Sequence, residues 1–94
     1  MSFTLTATST ADGVLISWPD QQTRHPELMG HGCYYIQGGG FGPGEFLAPG
    51  ILAVLDKGAA PGVVSHYKLD FCDPSGNARD TSSVTFPPPL STGP

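Results

Sequence analysis

Apolar and polar residues alternate along several short stretches of the chain, with the period of two that is typical of β-strands. The strongest stretch is 63–72, in which Tyr67, Leu69 and Phe71 share one face with Val63 and Ser65. Strands are predicted over seven short segments, namely 3–8, 14–18, 33–37, 45–48, 51–55, 63–72 and 78–86. No window of about a dozen residues keeps a helical spacing without meeting Gly or Pro, so helices are not predicted.

Turn-forming residues separate the predicted strands. The chain of 94 residues contains 13 Gly and 10 Pro, which suit many turns between short strands. The sequence Asp73-Pro74-Ser75-Gly76 is typical of a type I turn and predicts a closing hairpin. The glycine-rich segment 38–44 predicts a wide turn, with Phe41 folded back over the edge of the fold. Residues 1–88 are predicted to form one domain, and 89–94 a Pro-rich tail or linker.

Strand number and spacing predict an all-β fold, a two-sheet antiparallel β-sandwich of about seven strands. Five Phe, three Tyr and one Trp supply enough apolar surface for its core. A closed barrel of about five or six strands is the structural alternative.

With the strands placed, the chain resembles a fibronectin type III domain, an immunoglobulin-like β-sandwich. The matching segments are 5–8, 14–18 with Trp18 before Pro19, 34–37 and 67–71. The resemblance implies that Tyr67 is a tyrosine corner, whose hydroxyl bonds to an upstream backbone carbonyl. It also implies a role as a spacer or ligand-binding unit, since domains of this kind serve in cell-surface proteins, secreted bacterial enzymes and phage particles.

The resemblance implies that the two cysteines lie close together in the fold. In such a sandwich the start of the strand at Cys33 lies beside the end of the strand at Cys72, because the two strands are antiparallel neighbours. Both side chains are then expected to face outward on the same side, where a cross-strand disulfide is geometrically possible. Two free thiols are the alternative.

Charge excludes some classes of partner. Lys and Arg number 4 in total, and the net charge is −4. No basic face for nucleic acid can be assembled from so few cations, and attraction to an anionic membrane is disfavoured for the same reason. No apolar run is long enough for a transmembrane helix, and no signal peptide is visible. Cytoplasmic synthesis is expected. The chain is then either a component of a phage particle or a module excised from an extracellular protein, and the sequence does not decide its localisation.

The sequence indicates neither an enzyme nor a cofactor. His25, His31 and His66 have no spacing typical of zinc ligands, so no metal site is predicted. No serine lies in a nucleophile-elbow motif, and no catalytic residue is assigned.

Binding residues are instead predicted in the loop 20–32 and in the turn at 73–77, which the resembling fold places at one end of the sandwich. The predicted set is His25, Glu27, Leu28, Met29, His31, Phe41, Asp73 and Asn77. If the loop packs over the core, Leu28 and Met29 cap the core instead.

The leading functional hypothesis is a non-catalytic spacer, adhesion or decoration domain that binds a protein partner through end loops or an edge strand. One alternative is a self-assembling structural component of a phage virion or other particle, which predicts an oligomer. Another is a carbohydrate-binding module, in which Tyr35, Phe41 and Phe46 form sugar-stacking platforms. That alternative predicts aromatic side chains exposed on one sheet face.

Overall fold

The computed structural model describes residues 3–59 and 64–86 as an all-β fold of two antiparallel sheets. The strands are β1 (Thr6–Thr10), β2 (Gly13–Ser17), β3 (Cys33–Gly38), β4 (Glu45–Leu47), β5 (Ala53–Asp56), β6 (Ser65–Cys72) and β7 (Ala78–Phe86). Two short 3-10 turns, Pro26–Leu28 and Gly39–Phe41, are the helical elements of the described residues. The predicted two-sheet arrangement is therefore confirmed over the closed barrel.

The strands divide three and four between the sheets. One sheet has the order β1-β2-β5 and the other β4-β3-β6-β7. The chain changes sheet between β2 and β3, returns between β4 and β5, and changes again before β6. The longest strands, β6 and β7, form the hairpin predicted at 73–76, where the Gly76 N–H donates to the Asp73 carbonyl oxygen at 2.9 Å.

The core lies between the sheets and contains the residues that the alternation predicts. Ile16, Tyr34, Ile36, Leu69 and Phe71 have no measurable exposure. The remaining large core residues are Phe3, Leu5, Val14, Trp18, Leu28 and Tyr67. Burial of aromatic and branched side chains from both inner faces is the main stabilising contribution available to a chain of this size.

Some strand boundaries differ from the prediction. The first strand was predicted over 3–8, but pairing with β2 runs from Thr6 to Thr10. Phe3 and Leu5 are nonetheless buried, because the extended chain before β1 still lies over the core. Ile51 and Leu52 are 39% and 40% exposed, since β5 begins only at Ala53. The predictions for Val63 and for the tail 89–94 lie outside the described residues.

Candidate binding surfaces

A pair of aromatic residues, of which Phe46 is exposed and Tyr35 is half-buried, lies at one edge of the four-stranded sheet. Phe46, in the middle of the edge strand β4, is 65% exposed, more than the other large apolar residues of the described chain. Its register partner on β3 is Tyr35, and the ring centroids are 4.6 Å apart with the planes tilted by 45°. The Tyr35 hydroxyl donates to the Pro43 carbonyl oxygen at 2.7 Å, which fixes the ring that supports Phe46. We call Phe46, Tyr35 and strand β4 the aromatic edge.

Polar side chains continue from the aromatic edge across the outer face of the sheet. Asp70 on β6 is the register partner of Tyr35, and Thr81 on β7 is the register partner of Asp70. The Thr81 hydroxyl donates to Asp70 Oδ1 at 2.6 Å. In the neighbouring row, Gln37 pairs with Lys68, and the side chains around them line a shallow depression of about 380 Å³. An apolar platform therefore adjoins a polar, weakly charged surface.

The loop 20–32, predicted to be a binding loop, is held against the sandwich. Leu28 is 6% exposed and belongs to the core, so it is not an exposed binding residue. The Gln22 side chain accepts a bond from the Gly30 N–H at 2.7 Å and donates to the Pro49 carbonyl oxygen at 3.2 Å. Met29 is 49% exposed, and it is the apolar residue that the loop presents to solvent. The alternative prediction was that both Leu28 and Met29 cap the core. It is correct for Leu28 and wrong for Met29.

Charged residues fasten the same loop to the start of β7. His25 Nε2 lies 3.4 Å from Asp80 Oδ2, and its ring lies over Phe71 with centroids 5.7 Å apart. Glu27 Oε2 lies 2.8 Å from Arg79 Nη2. The second pair is exposed, and such pairs contribute little to stability. The structure thus places the loop against the start of β7, and it uses His25 and Glu27 in contacts within the chain.

Asp73 and Asn77 also serve the hairpin turn itself. Asp73 Oδ1 accepts bonds from the Ser75 N–H at 3.0 Å and from the Asn77 N–H at 2.9 Å. These bonds, the one from Asn77 first, lower the pKa of Asp73 below its usual value. His31 is exposed at the end of the loop. Phe41 is partly buried, with its ring edge-on to Tyr67 at 6.2 Å, as expected for an aromatic folded back over the edge.

A buried carboxylate, which the sequence analysis missed, connects three parts of the fold. Asp56, the last residue of β5, is 2% exposed. It accepts bonds from the Tyr67 hydroxyl at 2.6 Å, the Gly40 N–H at 2.9 Å and the Gly58 N–H at 3.0 Å. The prediction that Tyr67 bonds to a backbone carbonyl is therefore wrong, because the Asp56 side chain takes that place. A carboxylate after an apolar run ordinarily faces solvent, so the sequence pattern gives no signal for this burial.

The Tyr67–Asp56 bond gives a testable pH dependence. Burial, followed by the bond to Asp56, raises the pKa of Tyr67 from 10.0 to about 12. The unfolded chain then loses the phenol proton first, so this contribution to stability is complete below pH 10 and is lost as the pH rises towards 12. We expect the free energy of unfolding to fall more steeply with rising pH for wild type than for Tyr67→Phe. The measurement is urea denaturation between pH 8 and pH 11, the upper limit being about one unit below the pKa of the folded protein. Equal slopes would contradict the assignment.

Cys33 and Cys72 are direct register partners, at the start of β3 and the end of β6, as the resemblance implied. Both are free thiols in the structure. The expectation that both face solvent is wrong for Cys72, which is 4% exposed beside an irregularity in the β6–β7 pairing. Their oxidation stays a prediction.

Other kinds of site were also considered. Over residues 3–59 and 64–86, no group of three or more His, Cys, Asp or Glu side chains is arranged to hold a metal ion. None of the helical elements in that part of the chain has the length and apolarity needed to cross a membrane. No protein-family model matches the chain, and comparisons with curated proteins and with solved structures found no match.

Proposed function

We propose that the chain is a non-catalytic binding module of the fibronectin type III kind, and that its aromatic edge holds a protein partner. The likeness to that family is supported by seven strands divided three and four between two antiparallel sheets. Because one sandwich fold serves many functions, the proposal about binding depends on the surface and not on the fold.

The observation that carries the proposal is the exposure of Phe46 on an edge strand. β4 pairs with β3 on one side only, so its other side offers unpaired backbone groups to an extended peptide. Phe46 stands on that strand with its ring supported by Tyr35. A rigidly supported aromatic ring is a favourable anchor for a partner, because it buries a large area and loses little conformational entropy. The proposed partner is an extended segment with an apolar side chain that covers Phe46.

A carbohydrate ligand is the second candidate, and one specific observation favours it. The outer face places the aromatic pair beside Asp70 and Thr81 in a single row across the four strands of the sheet. A sugar ring needs such a combination, an apolar platform for its C–H face and polar groups for its hydroxyls. Phe41 does not belong to this platform, because it packs against Tyr67.

The test is selection from a random-peptide display library, with the affinity of the selected peptides measured by fluorescence polarisation. We expect Phe46→Ser to weaken their binding at least about tenfold, as loss of a central aromatic anchor does. The matched control is Leu15→Ser on β2, which removes a 37% exposed apolar side chain from the other sheet. We expect this control to change affinity by less than about twofold, since it lies outside the proposed surface.

Three results discriminate between the hypotheses. Selected peptides that bind wild type and Phe46→Ser equally would overturn the aromatic edge as the binding surface. A glycan array that yields ligands sensitive to both Phe46→Ser and Asp70→Asn, with no peptide selected, would replace the protein partner by a carbohydrate. If light scattering shows that the wild-type protein is a dimer and that Phe46→Ser is a monomer, the partner is a second copy of the chain.

A further inference from the structure

The two cysteines occupy positions that favour a bond between them. Cys33 and Cys72 are directly opposite in neighbouring antiparallel strands, where Cα atoms are about 4.5–5.5 Å apart. This separation lies within the range that disulfides span, about 4.4–6.8 Å. Residues opposite each other also project from the same face of a sheet. The two free thiols therefore need little rearrangement to meet.

The two thiols differ in their access to solvent. Cys33 is partly exposed, because β4 covers β3 only from Tyr34 onward, whereas Cys72 is 4% exposed. Burial, followed by the influence of Cys33 and Asp70, raises the pKa of Cys72 to about 11. A reagent in solution can reach Cys33, while Cys72 is protonated at neutral pH and shielded. This asymmetry sets the order in which the two thiols react.

We propose that Cys33 and Cys72 form a reversible redox pair in which Cys33 reacts first with an external disulfide, such as oxidised glutathione, and Cys72 resolves the product. The Cys33 thiolate attacks one glutathione sulfur, the glutathione S–S bond breaks, and the departing thiolate takes up a proton. Cys72 then loses its proton and attacks the Cys33 sulfur, which expels the second glutathione as a thiol. Two protein thiols are oxidised to one disulfide, and one oxidised glutathione is reduced to two thiols.

Formation of this bond joins β3 to β6, the central pair of the four-stranded sheet. It closes a long loop of the chain, and long loops are those for which a disulfide most restricts the unfolded state. We therefore expect the midpoint of thermal unfolding to rise by roughly 10–20 °C on oxidation of the wild-type protein. Cys33→Ser, which keeps Cys72 but cannot form the bond, should show no dependence on reductant. The proposal does not depend on the aromatic edge.

The experiment is incubation of the reduced, folded protein with oxidised glutathione, followed by intact mass spectrometry. Wild type should lose two hydrogens and retain no glutathione. Cys72→Ser should stop at a mixed disulfide with one glutathione on Cys33. If serine destabilises the buried position, Cys72→Ala is used in its place. Cys33→Ser should stay unmodified when folded and should react once unfolded in urea.

Three outcomes would overturn the proposal. In the first, wild type keeps glutathione on one or both cysteines without forming the internal bond. In the second, Cys33→Ser is modified in the folded state as fast as Cys72→Ser, which would remove the assigned order. In the third, wild type forms the bond but a thiol reductant does not restore the two thiols of the folded protein, so that the pair is not reversible. Circular dichroism of the reduced variants confirms that each is folded before the reaction.

Discussion

Replacement of Asp56 by alanine is expected to lower the free energy of unfolding by about 3–5 kcal/mol, because three hydrogen bonds are lost at about 1–3 kcal/mol each when the donor stays buried and less when water can reach it. The buried carboxylate accepts bonds from Tyr67 and from the N–H groups of Gly40 and Gly58, so its loss removes the acceptor of three hydrogen bonds, of which the one from Tyr67 is buried. A domain with about 5–15 kcal/mol of total stability would lose a large share of it. Urea denaturation followed by tryptophan fluorescence measures the change, since Trp18 lies in the core.

Three companion variants show whether the hydrogen bonds are the cause. Asp56→Asn keeps one acceptor oxygen and is expected to cost about half as much as alanine. Tyr67→Phe removes one donor and is expected to lower the free energy of unfolding by about 1.5–3 kcal/mol. The double variant Asp56→Ala with Tyr67→Phe should lose much less than the sum of the two single variants, because they remove the same bond. Asp12→Ala, at an exposed turn, should stay within about 0.5 kcal/mol of wild type. A loss below about 1 kcal/mol for Asp56→Ala would mean that the bonds contribute little.

Replacement of Gly38 by alanine is expected to cost roughly 3–5 kcal/mol, because two effects combine at this position. The backbone has a φ of +99°, a region that residues with a side chain rarely adopt. An added Cβ would also collide with the carbonyl oxygen of His66 on the neighbouring strand. That oxygen belongs to the sheet backbone and cannot move aside alone. The measurement is again the midpoint of urea denaturation.

Two other glycines separate these effects. Gly42 has a φ of +63°, but an added Cβ would meet no described atom within 4 Å. Gly42→Ala should therefore cost only the backbone strain, about 1–3 kcal/mol. A Cβ added at Gly50 would likewise meet no described atom within 4 Å, and the φ of Gly50 lies outside the strained positive range. Gly50→Ala should therefore be neutral or slightly stabilising. If Gly38→Ala costs no more than Gly42→Ala, close approach of β6 is not what requires glycine there.

The core of the fold could be predicted from the sequence, because alternation along a strand decides which side chains share a face. Tyr67, Leu69 and Phe71 are buried for this reason, and the residues between them are not. The hairpin at Asp73 was predictable as well, since its turn is determined by four consecutive residues. In both cases the information is local in the chain.

Interactions between distant segments could not be predicted in this way. Asp56 is buried because a hydroxyl 11 residues later and an N–H 16 residues earlier converge on it. Nothing in the spacing of these residues indicates that convergence. The family resemblance itself misled at Tyr67, because it supplied a backbone carbonyl as the partner where this chain has a carboxylate.

The proposed binding surface was only partly predictable. Tyr35 and Phe46 were named as aromatic platforms, and the structure brings them together as a cross-strand pair. From the sequence alone the polar loop 20–32 is the better candidate, because polar loops at the end of a sandwich commonly bind ligands. Its hydrogen bond to Pro49 and its contacts with β7 through His25 and Glu27 form only once the chain is folded.

The shortness of β4 has a consequence for how firmly a partner can be held. A strand of three residues offers few backbone groups to an added segment, so one copy of the domain is expected to release its partner quickly. Durable attachment would then require several copies acting on one partner, where linkage raises the overall affinity by about 10²–10⁴ without any new contact. Under the proposed function, such a domain would suit repeated display along a chain or over a particle, where each contact can exchange while the whole assembly stays attached.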